Sequence, residues 1–357
     1  MLETARFAEL SAQGVLEVRH DAECLDEPGF WVVVIPFAGT PTFVRMERIA
    51  PTTLTLLPTA DGEIAPSTVA KTVSVEEPGW ESSLDEVAYQ AGVVAIRDRI
   101  AAGEVYQVNL CRVLSRPIGD DASLDRLADL LSRHHRTRFS ARISLPSAGL
   151  DIACASPELY LERAGDVIRS GPIKGTATSL DAMLPKDFTE NVMITDLVRN
   201  DLSTVCLPGT VTVLQLCHPE HYPGSVHLVS NVAGRLRPGT TWPRILEIGF
   251  PPGSVSGAPK STALQAIRDL EPIPRGPYCG AIGYVDNASR TARLAVGIRT
   301  FWADGGAGRR RLHLGTGAGI TWASDPQGEW AETQLKAGRL LRLAEQAIDA
   351  RAVEMRG

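Results

Sequence analysis

The apolar residues of this chain come in short runs, and that limits what it can fold into. The longest strongly apolar stretch, residues 30–38, is far short of the ~18 to 20 residues that a membrane helix needs. Runs this short, broken by Gly, Pro and Asp, suit β-strands joined by tight turns. In the first 80 residues, 14–20, 30–37, 42–49 and 53–58 are β-branched or aromatic and read as strands, with Asp61-Gly62 as a hairpin turn. A polar stretch over 76–83 interrupts them. Beyond it, apolar periodicity predicts helices over 83–103, 124–134, 187–202, 242–249, 258–270 and 325–351. Strands are expected over 105–114, 138–145, 150–155, 159–164, 166–170, 209–217, 225–236, 279–285, 291–302 and 310–322. Hairpin-like succession with intermittent helices predicts an α+β fold with mainly antiparallel sheets, not a regular βαβ repeat. The expected division is a short β-rich part, 1–82, and a catalytic part, 83–357, within one continuous fold.

The balance of 36 basic against 42 acidic residues gives a formal charge of −6. That speaks against a nucleic-acid binder, which carries a basic face. The run Arg133 to Arg138 reads as a solvated helix end. Six cysteines are scattered without a CxxC pair or zinc-ligand spacing. Met1-Leu2-Glu3-Thr4 has neither a basic nor an apolar leader character. The expectation is a cytoplasmic chain whose thiols are reduced and packed as small hydrophobes. Only five of the basic residues are lysines, at 71, 174, 186, 260 and 336. Where arginine is the default cation, each lysine hints at a place where guanidinium would not serve, since an amine can be deprotonated and attack.

Several patterns admit both a structural and a chemical reading. Gly315, Gly317 and Gly319 are spaced G-x-G-x-G, not G-x-G-x-x-G, and no further strand and acid follow, which excludes a dinucleotide fold. They mark backbone that something approaches closely. Glu329, Glu332 and Lys336 share one face of the last helix, which Asp325 caps. They are either an exposed ion pair or hard oxygen ligands beside a cation for a substrate carboxylate. Asp187 and Glu190 either complement a helix dipole or converge with that pair on one metal. Lys174, between Ile173 and Gly175, is either a salt-bridged loop lysine or a nucleophile. His227, in an apolar strand, is either a satisfied core histidine or a ligand-facing imidazole.

Taken in order, Tyr106-Gln107-Val108-Asn109-Leu110, Ser156-Pro157-Glu158, Pro172-Ile173-Lys174-Gly175-Thr176, Lys186-Asp187 with Glu190 to Leu202, His227 to Ser230, Phe250 to Lys260, Gly280 to Tyr284, Ile298-Arg299-Thr300 and Gly317 to Lys336 form a recognisable set. The chain resembles the chorismate-utilising enzymes, such as the large subunits of anthranilate synthase and aminodeoxychorismate synthase (para-aminobenzoate synthase). The resemblance runs from about residue 84 to 345 and takes in four of the five lysines. It implies an anthranilate-synthase-type sandwich of two large, mainly antiparallel sheets with helices outside and the site between them. It implies Mg²⁺ on Glu190 and Glu332, with Asp187 and Glu329 close by and acting through water. Arg299, Lys336, Tyr284 and the backbone at Gly317 would hold a substrate carboxylate, Thr176 and His227 would line the ring, and Glu158 would protonate the departing C4 hydroxyl.

Two positions select the branch. In members that add water, the residue matching Gln107 is a lysine. In anthranilate synthases the residue matching Lys174 is alanine, whereas in aminodeoxychorismate synthases it is a lysine that attacks C2. Lys174 therefore implies amination of chorismate at C4, giving 4-amino-4-deoxychorismate for p-aminobenzoate and folate. No cysteine lies in a Gly-x-Cys-x-Gly elbow, so the nitrogen is expected as ammonia, with glutamine used only through a separate amidotransferase subunit. Three features depart from the family: Ala177 replaces an arginine, the segment 176–186 is short, and Pro252 replaces a glycine. The N-terminal part is also shortened and lacks a tryptophan-binding motif, so feedback inhibition is not expected.

Overall fold

A computed structural model describes residues 3–52, 79–134, 137–222 and 225–354. The expected strand 53–58 and the turn at Asp61-Gly62 lie outside the described residues. Strands β1 (Thr4–Phe7), β2 (Leu10–Arg19), β3 (Phe30–Ile35) and β4 (Thr42–Pro51) open the chain. They are followed by β5 (Glu81–Ser82), helix α1 (Glu86–Ala101), β6 (Gln107–Pro117) and α2 (Asp125–His134). Next come β7 (Phe139–Leu145), β8 (Leu150–Ser156), β9 (Leu159–Ala164), β10 (Val167–Gly171) and β11 (Ile173–Ala177). Helix α3 (Pro185–Ser203) precedes β12 (Thr212–Tyr222), β13 (Ser225–Arg235), α4 (Trp242–Gly249), β14 (Gly257–Ala258) and α5 (Lys260–Leu270). The chain closes with β15 (Ala281–Asp286), β16 (Thr291–Val296), β17 (Thr300–Asp304), β18 (Arg311–Ile320) and α6 (Pro326–Glu354).

The strands form one hydrogen-bonded system of 18, and every described pairing is antiparallel. Followed through its pairings, the sheet is a path. It starts with β11 and β12, both on β13, and continues through β10, β9, β16, β15, β3, β4, β2 and β1. From β1 it passes to β7, β8, β17, β18 and β6. Strands β1 to β4 are thus woven into the middle of the sheet. The path curls so that its two ends meet: Lys174 on β11 reaches Gly319 on β18 and Gln107 on β6. Helix α3 packs on β11, β12 and β13, while α1, α2 and α6 cover the other arm.

Local chemistry sets the boundaries. Helix α1 starts later than the expected residue 83, because Asp85 caps it; its carboxylate accepts from the Ala88 N–H at 2.8 Å. Ser83 instead accepts from the Val113 N–H at 2.9 Å. The expected strand 291–302 is split into β16 and β17 by Gly297-Ile298-Arg299, where Arg299 has φ +50°, a conformation rarely adopted outside Gly, Asn and Asp. β1 and β11 have no counterpart in the sequence reading.

One buried ion pair fastens the strand that carries Gln107. Arg275 is 2% exposed. Its guanidinium pairs bidentately with Glu271 (2.7 and 2.6 Å) and donates to the carbonyls of Val255 (2.9 Å) and Asn109 (2.7 Å). Glu271 also accepts from the Cys111 N–H at 2.8 Å. Removing one partner of a buried pair leaves an uncompensated charge and costs about 3–5 kcal/mol. Glu271→Ala is therefore expected to lower the unfolding free energy by about that amount in denaturant titration. A loss below about 1 kcal/mol, the range of an exposed pair, would refute this role.

Candidate active site

The site forms where the ends of the sheet face each other, with α3 and α6 supplying side chains. A Cβ on Gly319 would stand 2.3 Å from Gln107 Nε2 and 3.3 Å from Lys174 Nζ, so the missing side chain makes room for these two groups. Gln107 is buried, and its amide donates to Glu190 on α3 at 3.5 Å. Gly175 has φ +82°, and a Cβ there would meet Asp187 Cβ at 2.8 Å; only glycine allows β11 to pass this close to α3. Asn191 holds the two together. Its amide donates to the carbonyls of Lys174 (3.3 Å) and Leu228 (2.8 Å), and its Oδ1 accepts from the Ser230 hydroxyl.

On α6, Lys336 pairs with Glu332 at 2.6 Å and donates to the Gly317 carbonyl at 3.1 Å. Glu329 is buried and accepts from the Ser324 hydroxyl at 2.6 Å. Glu190 on α3 and Glu332 on α6 are near enough for their charges to act on each other. Burial pushes the Glu190 carboxyl up; Lys174 and Lys186 oppose that, while Asp187 and Glu332 add to it. Burial also acts upward on Glu332, but Lys336, with Lys186 and Lys174 behind it, outweighs it and holds Glu332 below the ordinary carboxylate range. Asp187 caps its own helix, accepting from the Leu184 N–H at 2.8 Å. Among the described residues, no three His, Cys, Asp or Glu groups assemble into a metal-holding cluster.

His227 on β13 is buried and links Thr176 (Oγ1 to Nδ1, 2.7 Å) to Arg299 (Nη2 to Nε2, 3.3 Å). Burial, reinforced by the Arg299 charge, lowers the imidazole to about 4, so it is neutral at pH 7. Arginine only donates, so Nε2 is the acceptor and Nδ1 carries the proton that goes to Thr176. The Thr176 hydroxyl keeps its own proton to donate. Arg299 forms no ion pair with a described carboxylate. A largely buried, unneutralised guanidinium suits an anionic ligand. Glu158, between β8 and β9, is 4% exposed. Burial, only partly offset by the Ser254 hydroxyl and Lys174, pushes its carboxyl up to about 7.

The structure corrects one expected site residue. Tyr284 packs between Phe7 and Phe30, each with ring centroids at 5.2 Å, and donates to Glu9 at 2.7 Å. On β15 it faces the N-terminal strands, and its hydroxyl is committed there. The tyrosine against the glycine strand is Tyr278, whose ring a Cβ on Gly315 would enter at 2.0 Å. The two stand six residues apart, and no local signal in the sequence separates them. Asn191 and Ser254 were missed for the same reason: polar side chains in family segments carry no mark of what they will touch.

A family model for chorismate binding enzymes matches residues 47–342. The chain belongs to the chorismate binding enzyme family. Anthranilate synthase component 1 of Streptomyces coelicolor is 37% identical over 286 residues, 75% of this chain and 53% of that protein. Aminodeoxychorismate synthase component 1 of Klebsiella aerogenes is 36% identical over 280 residues, 74% of this chain and 60% of that one. The match to each of these two relatives spans between a half and two thirds of its length. Anthranilate synthase component I from Streptococcus pneumoniae TIGR4 has the same fold: TM-score 0.72 at 22% identity, covering 95% of this chain and 91% of that one. In this member of the family, Glu158, Lys174, Glu190, Gly317, Glu332 and Lys336 are linked by contacts or mutual charge effects, and Thr176, His227 and Arg299 form a second, hydrogen-bonded set that joins the first through β11, which carries both Lys174 and Thr176. No described helix is long and apolar enough to cross a membrane.

Proposed function

We propose that this chain aminates chorismate at C4 with ammonia, giving 4-amino-4-deoxychorismate and water. The observation that carries the reading is the Lys174 amine beside Gly319 and Gln107, facing the acids of α3 and α6. By the resemblance, this is the lysine of aminodeoxychorismate synthases. The nitrogen lone pair of Lys174 attacks C2 while Glu158 gives its proton to the C4 oxygen, which leaves as water. Ammonia then bonds to C4, and the C2–N bond to lysine breaks, freeing the amine. Arg299 and Lys336 hold the substrate carboxylates, and Thr176, aligned by His227, donates a hydrogen bond to the ring substituents.

Among the described residues, the Gln107 amide is the one hydrogen-bond donor to Glu190, at 3.5 Å, and the charge of a second carboxylate, Glu332, acts on it. Glu332 is paired with Lys336, while Glu190 has no ion partner among the described residues; two such hard oxygen donors fit Mg²⁺, which typically takes one or two protein carboxylates and completes its shell with water and substrate. When bound there, Mg²⁺ would supply positive charge for the ring carboxylate.

The test is product identity. Chorismate with ammonium and Mg²⁺ should yield 4-amino-4-deoxychorismate by mass and absorbance, and glutamine should replace ammonium only when an amidotransferase subunit is added. Anthranilate synthase is the second reading, favoured by the 37% identity to the Streptomyces enzyme; anthranilate as the product would establish it. No turnover would leave a binding protein.

Glu158 sets a pH dependence. As the acid, it must be protonated, so turnover should fall as pH rises through about 7. Stability has the same sign. Between its usual 4.5 and about 7, the folded chain keeps a proton that the unfolded chain releases. Folding stability therefore falls by about 1.4 kcal/mol for each pH step of one across that window. Glu158→Gln should melt higher than wild type at pH 8, with the difference shrinking toward pH 4.5. A difference that is constant with pH would refute the assignment.

A further inference from the structure

Behind Glu158 lies a small, partly open space. Glu158 immediately precedes β9, and Tyr160 lies two residues on, inside it. Both line a cavity of about 30 Å³, with Ser170, Ser254 and Asp201. Tyr160 is 4% exposed, and its hydroxyl meets no hydrogen-bond partner among the described residues. Packing fixes it: the ring stands edge-on to Phe250 with centroids at 6.1 Å, and a Cβ on Gly249 would lie 3.1 Å from the hydroxyl oxygen. A buried donor left unpaired costs about 1–3 kcal/mol. The volume exceeds the roughly 10–15 Å³ that one water needs, and the walls supply its two to four polar partners. At the far wall, Asp201 accepts from Lys260 at 3.0 Å, with side-chain exposures of 17% and 19%. Lys260 also donates to the carbonyls of Ile248 (3.2 Å) and Gly249 (3.4 Å). Polar groups therefore run from a partly exposed ion pair inward to the buried acid.

We propose that this cavity is a water site through which Glu158 regains its proton. The role rests on Glu158 being the acid of the reaction above. Once Glu158 has protonated the C4 oxygen, its carboxylate is shut between bound substrate and the sheet. The water, held in place by the Tyr160 hydroxyl, gives one proton to that carboxylate and takes its replacement from solvent entering past the Asp201–Lys260 pair. The net change is one proton moved from solvent to Glu158; no bond to carbon forms or breaks. Tyr160 does not touch substrate and is a positioning residue.

Tyr160→Phe removes only the hydroxyl and keeps the packing. The expected result is a kcat lowered about tenfold, with KM for chorismate within about twofold and a larger solvent deuterium isotope effect on kcat. A high-resolution crystal structure of the wild type should show an ordered water within about 3.2 Å of both Tyr160 Oη and Glu158, and the variant should lose it. A wild-type cavity without that water, or a variant with wild-type kcat and isotope effect, overturns the proposal. If the wild type turns over no chorismate, the reaction assigned above fails and the proton-return role falls with it, while the crystal structures still decide the water site.

Discussion

Lys174→Ala is expected to lower formation of the 4-amino product by on the order of a hundredfold or more, the scale of losing a group that acts only in the transition state. The substitution leaves the fold alone, because Asn191 holds β11 through the Lys174 carbonyl rather than the side chain. Without the amine, ammonia can attack the ring only directly at C2, so any residual aminated product should carry nitrogen there. Lys174→Arg should be as inactive, because guanidinium stays protonated and cannot form the C2–N bond. Product analysis by mass and chromatography against chorismate and ammonium decides it. Both variants making the wild-type product at near wild-type rate would show that Lys174 only balances the charge of Glu190.

The second large effect is expected at the converging acids. Glu190→Gln and Glu332→Gln each replace a charged oxygen donor by a neutral one of the same shape, and turnover should fall on the order of a hundredfold or more. Neither change should unfold the chain. The Glu332–Lys336 pair has side chains 43% and 49% exposed, and an i,i+4 pair of that kind contributes only about 0.3–0.5 kcal/mol. A readout independent of turnover is available. A ligand that binds only the folded chain stabilises it by about 2.7 kcal/mol at a hundred times its dissociation constant. Mg²⁺ titration should therefore raise the wild-type melting temperature and leave both variants unmoved. Full activity of either variant in EDTA-treated, Mg²⁺-limited buffer would remove that carboxylate from the metal site.

Both predictions rest on residues that the sequence makes visible for chemical reasons. Scarce lysines among many arginines single out Lys174 and Lys336, and acid spacing of three on two helices singles out Glu190 and Glu332. Long periodic helices are legible too: α3 and α6 begin within two residues of their expected starts. Residues that break a local pattern are not. β11 is invisible because Pro172 and Gly175 punctuate it, and it becomes a strand only by pairing with β13. Arg299 sits inside an unbroken β-like run, yet tertiary packing forces it to φ +50° and bends the chain there. The tyrosine assignment failed in the same way, since which of Tyr278 and Tyr284 faces the glycine strand depends on how β15 pairs with β3 and β16.

The sequence by itself determined the α+β class, the antiparallel habit and the family, and marked out the side chains proposed to react, because these follow from periodicity, turn residues and residue chemistry, all local properties. Only the tertiary structure decided that the sheet curls until β11 meets β18 and β6, that the two acid pairs sense each other, that His227 is neutral between Thr176 and Arg299, and that Tyr160 stands behind Glu158. Three of the hydrogen bonds that build the site join residues 51, 72 and 83 positions apart. Their geometry is set by strand register and by burial against the rest of the molecule, and neither is written in any short stretch of the chain.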